Sequence, residues 1–432
     1  MKSKVFIKPV EGNLTECVKE CFNQFGGVDS FTKENVFLKI NATSSDLNSI
    51  TKPEVVVAVI KAIKEANPPP KNIYVMDNAA VGGFSRLAFK VGNMAKKILQ
   101  AGGIPLYLDE QKPVNVDFNG KILGKRIPIP KVLHEKLILN RNDNAYINIP
   151  VLKSHVMCQV TICIKNQHGL LYDNEKIFEH QHIDEKIIDI MELFKPDFHI
   201  VDATSVIDYG PFCIDNTYCH EMNLLLSGID PVAVDTIGSK LIGIEDVKHI
   251  SLAAKRTFGT NKMEEIEVVP SLDLINKHKI PLHWQGNPID IPDKIKIIEG
   301  KTKGCITGCG TLALALGLIA MNKEKINPMV GICGKGFDTK EMDQYNGPFL
   351  IDGKCAVAEL KDYFEIRKRK EKIKVYYIDE HLDLAAMMTC GRKAMGLGMK
   401  SAYEKLMPVG LAKILGMQIS SKLHGGKFLG AK

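Results

Sequence analysis

No stretch of this sequence is long and apolar enough to cross a bilayer. The longest apolar run, Leu312 to Met321, covers about ten residues and contains Gly317, against the roughly twenty that a membrane helix needs. The opening MKSKVFIKPVEGN lacks the continuous apolar segment of a signal peptide. Without secretory context, the 11 cysteines are expected as reduced thiols, metal ligands or core residues rather than disulfides. A cytoplasmic location is the expectation. Concentrated charge of one sign is also missing: the net +7 is the small difference between 57 basic and 50 acidic residues. The one dense basic cluster, Arg367 to Lys370, runs into Glu371 and reads as the solvated end of a helix, not a nucleic-acid surface. There is no GxxxxGK[ST] loop, and Gly82-Gly83 after Asp77 makes no dinucleotide fingerprint, so nucleotide binding by those devices is excluded. A C-x2-C-x2-C-x3-C-P run is absent too, which excludes a two-cluster ferredoxin insert.

What remains is an ordinary soluble composition, 45% hydrophobic and 25% charged, on a chain longer than one hydrophobic core usually spans. The first two-thirds alternate strand and helix patterns. Strands are expected at 36–40, 72–76, 104–108, 145–149, 160–164, 199–201 and 223–226. Helices are expected from Lys52-Pro53 to about Ala66, and over 86–99, 183–194, 231–241 and 245–255. Such alternation predicts an α/β fold with a mostly parallel sheet and helices on both faces. Residues 270–297 are rich in proline, hold the only tryptophan, Trp284, and read as a crossover between a domain over 1–280 and a smaller α/β domain over 298–432. The second domain is marked by Gly–Cys turns, with strands expected near 329–332, 349–351 and 374–378, and its tail after Lys400 has helical apolar spacing (Leu406, Val409, Leu411, Ile414, Leu415).

Chemistry concentrates in VLKSHVMCQVTICIKNQHG, residues 151–169. Cations, an amide and imidazoles there flank an apolar run, and such groups are costly to bury unless something binds them. Six of the 12 histidines fall between 155 and 220. Lys165 and Lys153 are candidates for a base, a nucleophile or an anion clamp, because burial lowers the pKa of an ammonium. His155, two residues from Lys153 on an extended chain, shares its face and is a candidate proton carrier, and Asn166 is expected to orient substrate. Lys39, Asn41, Asp77, Asn78, Asp202, Asp235 and His168 are the candidate binding residues. Most stand just past strand ends, where open α/β sheets place ligands. Pairing of Lys165 with Asp202 or Asp230 is the plainer alternative. Asp230 before Pro231 reads as a helix N-cap, and Asp235 as a partner for Lys153 or Lys165. His180 and His182 can jointly bind a metal if His155, His168 or Asp202 supplies a third ligand. Cys305, Cys309, Cys355 and Cys390, with Cys333 as a further candidate, adjoin glycines and would satisfy a [4Fe–4S] cluster; zinc, or plain core thiols, are the alternatives.

The motifs LKIN (38–41), Lys52-Pro53-Glu54, VMDN (75–78), NIPVLKSH (148–155), IKNQHG (164–169), IVDAT (200–204) and SGIDPVAVD (227–235) come in an order that resembles the domain of unknown function 362 family. That resemblance covers about half the chain and implies the fold without a firm reaction; many members carry a ferredoxin-like iron–sulfur module. A more distant resemblance is to the nickel-pincer lactate racemases, which implies two α/β domains with a cleft between them. In their motif a catalytic His stands ten residues before a cofactor-bearing Lys, as His155 stands before Lys165, and a metal-ligand His lies farther on, as His180 does. Here MCQVTICI replaces their glycine-rich loop, which counts against that cofactor. The combined expectation is an enzyme acting on a small anionic metabolite in an interdomain cleft by Lys/His acid–base chemistry, of racemase or isomerase type or an iron–sulfur-dependent redox enzyme. The alternatives are an iron–sulfur electron-transfer protein or a metallocofactor carrier or maturation protein. A redox partner or a second copy of the chain is the expected macromolecular contact, with nucleic acid and membrane excluded.

Overall fold

The computed structural model describes residues 2–398 except 44–45, 80–84, 173–178, 180–181, 214–215, 287–289, 307, 321–324 and 381–382, together with 416, 419 and 423. His180, Gly82-Gly83 and the five apolar tail residues from Leu406 to Leu415 therefore lie outside the described residues. The strands are β1 (Ser3–Pro9), β2 (Asn35–Ile40), β3 (Asn72–Asp77), β4 (Ile104–Tyr107), β5 (Pro113–Asp117), β6 (Arg126–Pro130), β7 (Asn144–Ile149), β8 (Lys153–His155), β9 (Gln159–Thr161), β10 (Phe198–Ile207), β11 (Cys219–Gly228), β12 (Ile266–Val269), β13 (Ile295–Glu299), β14 (Met329–Cys333), β15 (Phe349–Asp352) and β16 (Val375–Ile378). Two compact units emerge: the first from described residues within Met1–Lys176, Asp184–Gln285 and Met417–Lys432, the second from those within Ile177–Ile183 and Gly286–Gly416.

The first unit is built on an eight-stranded sheet of order β12-β1-β11-β10-β7-β2-β3-β4. Every neighbouring pair is parallel except those made by β11 with β1 and β10. Central strands β2 and β7 are buried along their whole length, as near-continuous apolar runs require when helices cover both faces. Alternation sorts their side chains. Val36, Leu38, Ile40, Ala145, Ile147 and Ile149 join a core with the helices Leu14–Asn23, Pro53–Lys64 and Met94–Ala101. Phe37 and Tyr146 face the opposite core, where Leu170, Leu171, Ile190 and Phe194 pack.

Two elements differ from expectation. Residues 160–164 are not one strand: β9 pairs antiparallel with β8, and the chain then turns into a short helix, Cys163–Asn166. The helix expected over 86–99 is broken, because Gly92 and Asn93 both adopt left-handed conformations before Met94–Ala101 begins.

The second unit is a parallel sheet of order β13-β14-β15-β16. Leu350 faces the helices Leu312–Ala320 and Leu384–Ala394, while Phe349 and Ile351 face Lys354–Glu371. Within the basic cluster, Arg367 is not solvated: it is 6% exposed and donates to Glu371 and to the carbonyls of Met342 and Tyr345. Among the described residues, no helix is long and apolar enough to cross a membrane.

Candidate functional site

The parallel register draws polar groups from different strands into one row. Lys39 on β2 lies opposite Asn148 on β7, and Asn148 lies opposite His199 on β10. By alternation Lys39 shares the face of Phe37, and Asn148 that of Tyr146. All three polar side chains are buried, near the C-terminal ends of β2 and β7. The row is hydrogen-bonded within itself: Asn148 Nδ2 lies 3.1 Å from His199 Nδ1. Burial lowers the His199 pKa to about 3, so the imidazole is neutral and accepts that bond.

Beside the row, Lys39 Nζ pairs with Asp77 Oδ1 at 2.7 Å, both groups being essentially inaccessible. Burial pulls the Lys39 pKa down, and the Asp77 carboxylate opposes that shift. Asp77 also accepts the backbone N–H groups of Ala42 and Asn78. Gly169 makes the pair possible, since a Cβ there would stand 2.6 Å from Asp77 Oδ1 and 2.8 Å from Lys39 Nζ. Asn166, on the short helix, ties the strands together. Its Nδ2 donates to Asn148 Oδ1 at 2.8 Å, and its Oδ1 accepts from Asn41 Nδ2 at 3.1 Å and Lys39 Nζ at 3.5 Å.

Lys153 opens β8 and is 1% exposed. Its Nζ donates to the Ser49 carbonyl at 2.6 Å and to Asn41 Oδ1 at 3.2 Å, both neutral acceptors. Burial first, and the nearby Lys165 charge second, lower its pKa to about 7. Lys165 is half-buried and close enough to repel both Lys39 and Lys153. His155 is buried at the far end of β8, where its Nδ1 accepts the Met157 N–H at 3.1 Å. Its neutral ring accordingly carries the proton on Nε2.

The surrounding carboxylates serve the backbone. Asp235 accepts the N–H groups of Cys163 (2.8 Å) and Ile164 (3.0 Å), capping the helix that carries Lys165 and Asn166; it pairs with neither Lys153 nor Lys165. Burial raises its pKa to about 7, and those N–H groups oppose the rise. Asp202 accepts the Lys52 N–H at 2.7 Å, where the helix Pro53–Lys64 begins, along with the N–H and hydroxyl of Thr204. Asp230 caps Pro231–Leu241 through the N–H groups of Val232 and Ala233, as its place before proline predicts. Asn78 donates to the Leu171 carbonyl, His168 is buried on the turn after the short helix, and His182 is exposed.

Sequence reasoning passed over Asn148, Ser49 and Gly169. An asparagine inside the wholly buried strand NAYINI was the available signal for the first. Ser49 contributes a backbone carbonyl, which leaves no mark in residue type, while the signal for Gly169 was the glycine itself, whose missing Cβ leaves room for the ion pair.

In the second unit, Cys309 and Cys333 are hydrogen-bonded to one another, and Cys309 also accepts backbone N–H groups from Gly334 and Cys305. That environment lowers the Cys309 pKa to about 6 despite burial. Cys305 is exposed, while Cys355 and Cys390 are half-buried. Among the described residues, no group of three or more His, Cys, Asp or Glu side chains is arranged to hold a metal ion. This arrangement gives no support to the four-thiolate cluster expected from the Gly–Cys turns.

Residues 36–240 match the family described as Domain of unknown function (DUF362), to which the order of motifs points. A thylakoid-associated protein of Synechocystis sp. is 26% identical over 264 residues, which cover 58% of this chain and 76% of that relative. Among solved structures, the lactate racemase apoprotein from Thermoanaerobacterium thermosaccharolyticum aligns over 88% of this chain and 93% of its own, with a TM-score of 0.35 and 11% identity, a distant structural likeness.

Proposed function

We propose that the first unit is an enzyme that binds a small anion at its lysine cluster and moves a proton through Lys153 and His155. One observation carries this reading: Lys165 lies within electrostatic reach of both Lys39 and Lys153, and of the three only Lys39 forms an ion pair with a carboxylate among the described residues, Asp46 and Asp77 offsetting the burial of Lys153 in part. An anionic substrate supplies the missing charge. Lys165 is the half-buried member that meets it, and Lys153 is poised near neutrality to take or give a proton. His155, two residues along β8, is the second proton carrier. Asn166 and Asp235 act through others, holding Lys39, Asn41 and the helix that bears Lys165. Two proton carriers beside an anion clamp suit proton abstraction next to a carboxylate, the chemistry of a racemase or isomerase.

The test is deuterium uptake at the carbon next to the carboxylate, read by NMR, with a panel of small 2-hydroxy and 2-amino acids in heavy water. Exchange with at least one acid is expected, falling about 10²–10⁴-fold in Lys153→Met and His155→Ala. Undiminished exchange in both variants, or none with any acid, would refute the assignment.

The expected iron–sulfur cluster is a separate question, raised again by the N–H groups that converge on Cys309. Iron and sulfide analysis of protein purified without oxygen decides it, a brown chromophore lost on Cys305→Ala being the positive result. A cytoplasmic location is the reading of the sequence, while the relative's thylakoid association makes peripheral attachment its rival. Fractionation of cells after a salt wash separates the two.

A further inference from the structure

The connection between β10 and β11 holds a pair of cysteines that the proposed chemistry does not use. Cys219 opens β11 opposite Ile207, and Cys213 lies six residues earlier on the connecting loop. The loop is fastened to the rest of the unit. Gly210 N–H donates to Ser154 Oγ at 2.9 Å, Val156 N–H donates to the Gly210 carbonyl at 2.9 Å, and a Cβ at Gly210 would collide with the Ser154 carbonyl. Cys213 N–H donates to Ser49 Oγ at 2.8 Å, and Asn48 Nδ2 reaches Cys213 Sγ at 4.0 Å. The two cysteine side chains are hydrogen-bonded to one another, and both are half-buried, within reach of a small reagent.

We infer that Cys213 and Cys219 are a reversible dithiol–disulfide pair, an oxidation site built into the β10–β11 connection against the turn Leu47–Ser49. The two sulfurs are unequal. The hydrogen bond from Cys213 lowers the Cys219 pKa to about 6, with help from Lys52 and Ser205 and against burial. The same bond, with burial, pushes the Cys213 thiol up. Cys219 is therefore the attacking thiolate and Cys213 the resolving thiol. The oxidant is a low-molecular-weight disulfide of the glutathione class. Cys219 sulfur attacks one of its sulfurs, the S–S bond breaks, and the departing thiolate takes a proton from water. Cys213 then gives up its proton, and its sulfur attacks Cys219 sulfur and expels the second thiolate, which is protonated in turn. Two protein thiols and one disulfide become one protein disulfide and two small thiols.

Ser49 links this pair to Lys153, since its hydroxyl accepts Cys213 N–H while its carbonyl accepts Lys153 Nζ. Oxidation that shifts Cys213 is felt at Lys153. This consequence rests on the proposed role of Lys153, whereas the disulfide itself does not.

Exposure of the full chain to glutathione disulfide at neutral pH, followed by acid quench, alkylation and peptide mass mapping, tests the pair. The expected product is a peptide spanning both cysteines that has lost two hydrogens and takes up alkylating agent only after reduction. Cys213→Ser should trap glutathione on Cys219. On the unmodified chain, which needs no variant to fold, Cys219 should alkylate about tenfold faster than Cys213. Complete alkylation of both cysteines after treatment that modifies exposed Cys305 would overturn the inference, as would a lasting glutathione adduct on Cys219 in the wild-type chain. Oxidised protein with unchanged deuterium uptake would break the Ser49 link and leave the disulfide standing.

Discussion

Lys153 meets burial with two neutral hydrogen-bond acceptors, and the Asp46 and Asp77 charges offset the cost only in part, which sets a sign on how stability depends on pH. Its pKa is about 7 in the folded chain against 10.5 for an ordinary lysine. Between those values the unfolded chain holds more protons, so stability rises with pH across that window. Below about 7 both states are protonated and the full cost of burying the ammonium is present. Lys153→Met removes the penalty. Urea unfolding at pH 7, 8 and 9 should show the wild type gaining on this variant by up to about 1.4 kcal/mol per pH unit, while Lys153→Met is no less stable at pH 7. At Gly169 the constraint is space. Gly169→Ala must displace either Lys39 or Asp77 from a buried ion pair, and overpacking of this kind costs about 1–3 kcal/mol. A lowered denaturant midpoint without a changed slope is the expected result.

The short helix Cys163–Asn166 is held at its start by one carboxylate. Asp235→Ala leaves the buried N–H groups of Cys163 and Ile164 without acceptors, at about 1–3 kcal/mol. Amide exchange at those two residues should quicken more than elsewhere, and Asp235→Asn, which keeps an acceptor oxygen, should restore part of the loss. Why this helix was read as a strand is physical: VTICI is a short apolar run, and periodicity alone cannot tell a buried strand from a buried helical turn. What ends the strand is a carboxylate some seventy residues later in sequence. Elements whose signals are local were legible. The Pro231–Leu241 helix carries its cap and its proline at its start, and β2, β3 and β7 announce themselves as apolar runs. The edge strand β12, half-covered, and the sparse hairpin β5–β6 gave no such run. Lys39, Asn41, Asp77, Lys153 and Asn166 stood out as polar groups at strand ends, and the structure brings them together. Asp202 and Asp235 stood out equally but serve the backbone, and nothing in residue type separates the two fates.

At the scale of the whole chain, each unit has its own apolar cores. Phe364 packs with Phe349, Ile351 and Leu360 in the second unit only. Phe364→Ala, a loss of about 3–5 kcal/mol, should lower one of two calorimetric transitions and leave the other in place. A single transition shifted as a whole would show that the units unfold together. The polar row across β2, β7 and β10 has a consequence for how the large sheet assembles. Sliding β2 by one residue would swing the Lys39 ammonium and its neighbours onto the aliphatic side, and sliding β7 would do the same to Asn148. Each misalignment would strand a donor in hydrocarbon with nothing to receive it. The groups proposed to ready the cluster for an anion thus also act as a proofreading device, admitting one alignment of the central strands and penalising the others.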